Sequence, residues 1–284
     1  MPTGNMKEIK QRIKNVQGIM QITKAMELVS SVKLRRVKEK SAQAVRFTEE
    51  YRDLLHELSM TDEALTSPFI QKRNQKRNGA TLNIVIAGER GLSGAYNYNI
   101  LKLAEEESLN QKVKYFTIGK QATSYFQKSG AEIVESYSGI FEKLSLDDAL
   151  LIAEKAKALY LSGEVNKIKL FATRFKSALV QTAESHRVLP RRKTMIKPVK
   201  THYVREPKTN DLFNMLVPLY IGHMLYAGIL ESYASEQAST RLAMEGATKN
   251  ADEMLDALQF QYNRARQAGI TQELTEIVSG ANPG

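Results

Sequence analysis

Two groups of residues in this chain have types and spacing that invite chemistry: a glycine-rich turn and four scattered histidines. The turn reads Gly88-Glu89-Arg90-Gly91-Leu92-Ser93-Gly94-Ala95-Tyr96-Asn97 and follows a short β-branched run at residues 82–87. A turn from strand to helix is where phosphates bind, because backbone N–H groups and the helix N-terminus converge on the anion. The spacing here is G-x-x-G-x-x-G, which matches neither the dinucleotide fingerprint nor the P-loop, and no Lys-Ser/Thr follows. Close packing of a strand-to-helix turn explains the glycines without a ligand; a nucleotide-binding enzyme remains the alternative. Ser93, in Gly91-Leu92-Ser93-Gly94-Ala95, approaches the nucleophile elbow G-x-S-x-G but lacks the last glycine. His56, His186, His202 and His223 show no evident carboxylate partner and no metal-ligand spacing. With no cysteine anywhere, disulfides, Cys-ligated metals and thiol catalysis are excluded. The residues therefore indicate neither a catalytic site nor a metal site.

The elements that must position these residues are unlike one another. Residues 5–58 lack proline and contain a single glycine, Gly18. Ile9, Ile13, Val16 and Met20 recur at 4-3-4 spacing, and a second row runs Ile19, Ile22, Met26, Val29 and on to Val37. This spacing predicts a long helix with an apolar seam, the change of row resembling a coiled-coil stutter. Residues 210–279 predict its counterpart, with Pro218 near the start giving a kink or late entry. That segment carries Ala234, Ala238, Ala243, Ala247 and Ala251, small residues that let another helix approach closely. The two are expected to pair with each other as an antiparallel coiled coil, in preference to a homodimer, because their seams differ in side-chain size. Between them, strands at 82–87, 113–118, 132–137, 168–175 and 178–189 alternate with helices at 97–109, 120–128 and 146–162. The last two strands read as a hairpin. The fold class is α/β, a small Rossmann-like, mostly parallel sheet carried on a helical hairpin. The expected domains are 1–65, 66–208 and 209–284.

Composition bounds the rest. The 284 residues carry 41 Lys and Arg against 31 Asp and Glu, a net charge of +10, with 42% hydrophobic residues. Residues 1–50 hold 11 basic and 5 acidic residues, whereas residues 208–284 hold 5 and 9. A basic first helix suits an acidic protein, an anionic membrane or nucleic acid, or is merely a solvated face. Aromatic residues are not interleaved with the basic stretches, which argues against nucleic acid. No run of 18 apolar residues and no apolar leader are seen, so the expectation is a cytosolic chain or one held to a membrane through partners.

Three separated motifs carry a family resemblance. Ile9-Lys10-Gln11-Arg12-Ile13-Lys14-Asn15-Val16, with Ile22-Thr23-Lys24-Ala25-Met26-Glu27-Leu28-Val29, resembles the opening of the gamma subunit of bacterial F-type ATP synthases. Glu89-Arg90-Gly91-Leu92-Ser93-Gly94-Ala95-Tyr96-Asn97 is similar to that family's D-R-G-L-C-G-G-F-N. Ser235-Glu236-Gln237-Ala238-Ser239 and Tyr262-Asn263-Arg264-Ala265-Arg266-Gln267, through Ile270 to Ala281, agree better still. The likeness spans the whole chain.

The resemblance implies a rotor shaft whose paired helices enter a hexamer of alpha and beta subunits. Its α/β domain would carry epsilon and sit on the membrane c-ring, at the cytoplasmic face of the cell membrane. It implies no catalytic residue, metal or cofactor in this chain, Mg-ATP and ADP being held by alpha and beta. Hexamer contacts carried over residue by residue are Lys24, Met26, Arg35, Arg36, Arg264, Arg266, Gln267, Thr271 and Glu273. Those to the c-ring are Tyr203, Arg205 and Glu206. Ile270, Leu274, Ile277 and Val278 would turn inside an apolar sleeve through non-directional contacts. One departure is Ser239-Thr240-Arg241-Leu242, where the family commonly places its Arg one residue earlier; one residue turns a helical side chain by about 100°.

Overall fold

The structure is a computed structural model that describes residues 2–59, 67–70, 79–191 and 208–280. Its elements are α1 (Pro2–Ser59), β1 (Ala80–Ile86), α2 (Tyr96–Glu106), β2 (Val113–Ile118), α3 (Lys120–Lys128), β3 (Glu132–Tyr137), α4 (Leu146–Leu161), β4 (Val165–Phe175), β5 (Gln181–Leu189) and α5 (Thr209–Gly280). They divide into two compact units, one of Met1–Ser31 with Thr240–Gly284 and one of Val32–Ser239.

In the larger unit the sheet order is β3-β2-β1-β4-β5. The first four strands are parallel and β5 returns antiparallel to β4, the hairpin the sequence predicts. Strand side chains alternate between faces, and both faces are covered. Leu82, Ile84, Ile86, Phe116, Ile118, Ile168 and Leu170 join a core with α4, α5 and the later part of α1. Val85, Tyr115 and Phe171 instead face Ile100, Leu101 and Ala104 of α2 and Phe126 of α3. Ser145 begins α4 with a capping box: its hydroxyl accepts the Asp148 N–H at 3.2 Å while Asp148 accepts from the Ser145 N–H at 3.0 Å. Helix α4 lies close to α5 at Gly222, where any β-carbon would run into Leu150. The α5 helix continues through Pro218, having begun at Thr209.

One stretch of α5 is long and apolar enough to cross a membrane by composition, which counting consecutive apolar residues overlooks. Just over half of it is buried inside the protein, as expected of a core helix.

In the smaller unit the helices run antiparallel. Ile9 and Arg12 lie beside Arg264 and Ala265, and further along Thr23 hydrogen-bonds Thr248 at 2.7 Å. The buried or half-buried row on α1 is Ile9, Ile13, Val16, Met20, Thr23 and Ser30. The expected second row is only partly buried: Ile19, Ile22, Val29 and, in the larger unit, Val32 are more than half exposed, whereas Met26 is half-buried and Val37 is buried. Heptad spacing carries the first row on through Thr23 and Ser30, small polar residues that hydrophobicity alone passes over.

Candidate functional site

The glycine-rich turn is occupied by the protein itself. Glu236 of α5 lies 4% exposed beside it, its carboxyl set against Gly88 and near enough to the backbone N–H groups of Glu89 and Arg90 for them to favour its charged form. These are the donors a phosphate would need. Gly88 is required by this arrangement, since a β-carbon there would stand 2.5 Å from Glu236 Oε1 and 3.0 Å from Asn97 Oδ1. The Gly88 N–H donates to Asn97 Oδ1 at 2.8 Å, and Asn97 Nδ2 donates to Ser93 Oγ at 3.0 Å and to the Arg90 carbonyl at 3.1 Å. Ser239 Oγ donates to the Ser93 carbonyl at 2.6 Å. Ser93 is 1% exposed, so its hydroxyl is not presented to a substrate as a nucleophile would be. Burial drives the Glu236 carboxyl up to about 7, against the pull of the Arg90 and Glu89 N–H groups.

Glu236 was not singled out by the chemistry of the sequence. The signal was there: an acid among Ala234, Ser235 and Ala238, all fully buried, is a charge in a small-residue seam and needs partners. A half-buried carboxyl, Glu231, is likewise raised by desolvation to about 7, while Arg174 and the Phe175 N–H favour its charge.

Among the histidines, His186 Nε2 is 3.3 Å from Glu184 Oε2, a carboxylate partner two residues back on the same face of β5 that the period of the expected strand would have found. His223 sits against the rings of Phe47 and Tyr51, and burial lowers its pKa. His202 lies outside the described residues. Among the described residues no cluster of three or more His, Asp or Glu is arranged to hold a metal.

Most residues expected to meet partners stand in solvent. Lys24, Arg264, Arg266, Gln267, Thr271 and Glu273 in the smaller unit are exposed, and Met26 is half-buried. Thr271 Oγ1 donates to the Gln267 carbonyl at 3.0 Å, which uses its proton within the helix. Arg264 borders an open groove with Glu8, Ile9, Arg12, Gln261, Ala265 and Ala268. Ile270, Leu274, Ile277 and Val278 are exposed along the end of α5. In the larger unit Arg35 and Arg36 are exposed, and Lys33 pairs with Glu142 at 2.6 Å. Thr240 is buried, and the neighbouring Arg241 turns to Glu245 at 3.4 Å. Tyr203, Arg205 and Glu206 lie outside the described residues.

Long paired helices that leave large apolar side chains in water define a protein made for assembly with others. The family model described as ATP synthase matches residues 5–283. An ATP synthase gamma chain of Ruminococcus albus is 41% identical over 284 residues, 98% of each chain. One from Chlorobaculum tepidum is 37% identical over 99% of each. The chain belongs to the family of ATP synthase gamma chains. The fold agrees with solved structures of the Euglena gracilis mitochondrial ATP synthase. A chain of its rotor in rotational state 1 aligns at TM-score 0.68 and 15% identity, over 94% of this chain and 99% of that one. A chain of its OSCP/F1/c-ring structure aligns at 0.71 and 18% identity, over 99% and 97%.

Proposed function

We propose that this chain is the central rotor shaft of an F-type ATP synthase, without a catalytic site or cofactor of its own. Its paired helices turn within a hexamer of alpha and beta subunits, while its α/β domain meets epsilon and the c-ring at the cytoplasmic face of the membrane. Proton flow turns the shaft, and its asymmetry makes the three beta sites differ in nucleotide affinity, a coupling between distant sites. The observation that carries this reading is the set Ile19, Ile22, Leu28 and Val29 on α1 and Ile270, Leu274, Ile277 and Val278 on α5. All are exposed, at a cost that only a surrounding apolar sleeve removes. Lys24, Arg35 and Arg36 supply cations for acidic segments of beta, and Met26 packs beside them. Arg264, Arg266, Gln267, Thr271 and Glu273 give the far end its directional grips. Tyr203, Arg205 and Glu206 are assigned to the c-ring. Internal use of the 88–97 turn by Glu236 supports the absence of nucleotide binding.

The test mixes purified chain with separately prepared alpha and beta subunits. One copy per hexamer and a changed ATP turnover are expected, and deletion of residues 267–284 weakens both. No complex with unchanged turnover refutes the reading, as does micromolar nucleotide binding by the chain alone.

A further inference from the structure

Residues 231–239 of α5 are tied to the sheet by directional bonds as well as packing. Ser232 Oγ accepts the Thr173 N–H at 3.0 Å and Ser235 Oγ donates to the Thr173 carbonyl at 3.4 Å, and the Phe175 N–H lies near enough to Glu231 to favour its charge. Glu236 and Ser239 hold the 88–97 turn as described. Each of these partners lies at or just beyond the C-terminal ends of β1 and β4, neighbouring strands of the sheet. The apolar residues between them, Ala234 and Ala238, are fully buried, but apolar contact is non-directional and allows a helix to slip or roll. Hydrogen bonds weaken steeply when their angle is lost, so they resist rolling. Leu92, with φ of 62°, holds an unfavourable backbone conformation for a branched side chain, which the clasp on either side of it maintains.

We propose that this stretch is a keyway, with Glu236 as its pin, through which turning force passes between the sheet and α5. The proposal rests on the rotor-shaft reading. Glu236 acts here as a positioning residue: its carboxyl group, set against Gly88, fixes the 88–97 turn to one angular setting of α5. Loss of the pin leaves the helix in place and softens its rotation against the sheet.

Two measurements on Glu236→Ala and the near-isosteric Glu236→Gln test it. In the full chain, hydrogen exchange at the Glu89 and Arg90 amides rises at least tenfold for Glu236→Ala and less for Glu236→Gln. In the complex assembled with alpha and beta, a probe is attached at Lys128→Cys, on exposed α3 of a chain that has no native cysteine. The angular fluctuation of that probe, with the hexamer fixed, widens at least twofold in Glu236→Ala. Unchanged exchange overturns the clasp. Raised exchange with unchanged fluctuation overturns its role in carrying force. A wild-type complex that assembles without rotating overturns the shaft reading and the force path with it, while the exchange result stands independently.

Discussion

Replacing Glu231 by Gln should remove a large pH dependence from the stability of this chain. The Glu231 carboxyl is raised from 4.5 to about 7, chiefly by burial; Arg174 and the Phe175 N–H favour the charged form, and Glu184 and Glu49 oppose it. Between those two values the folded chain binds the proton more tightly than the unfolded chain does. The stability Glu231 contributes is therefore complete below pH 4.5 and is lost as pH rises through 7. At about 1.4 kcal/mol for each pH unit of separation, ionisation costs about 3 kcal/mol in all, of which about 2.5 kcal/mol falls between pH 5 and pH 8. Glutamine keeps the size and a carbonyl acceptor and cannot ionise. Urea unfolding of wild type and Glu231→Gln at pH 5, 6, 7 and 8 gives the difference directly, and Glu236, present in both, cancels. The variant should gain on the wild type steadily, by about 2 to 3 kcal/mol across the range. A difference that stays constant from pH 5 to pH 8 would refute the argument that burial governs this carboxyl.

Two further substitutions probe how the elements are held. Gly222→Ala drives a methyl into Leu150 and should cost about 1 to 3 kcal/mol by overpacking, read as a lower unfolding midpoint that Leu150→Ala partly restores. Thr248→Val keeps the shape of the seam but removes the bond to Thr23. It should cost about 1 kcal/mol, with faster amide exchange confined to residues 2–31 and 240–280.

Strand and helix placement was legible because it depends on local pattern. Residues 113–118 and 132–137 alternate or are β-branched at the right spacing, and both became strands with the expected bounds. Boundaries moved where tertiary pairing extended an element, as in β4, which starts at Val165 because it pairs with Ala80. The contact residues named from the family motifs are in large part exposed, but exposure is what a helix facing away from its partner gives any charged residue.

The sequence alone determined the two long helices, the α/β alternation and the family, since helical periodicity, strand runs and motif order are properties of neighbouring residues. Only the tertiary structure decided which apolar row of α1 is buried. Ile19, Ile22 and Val29 are more hydrophobic than Thr23 and Ser30, yet the close approach of α5 selects the smaller set. Only the fold, too, could reveal what the glycine-rich turn is for. The side chain that fills it is Glu236, well over a hundred residues away, and no local rule connects a turn after the first strand to an acid in the last helix.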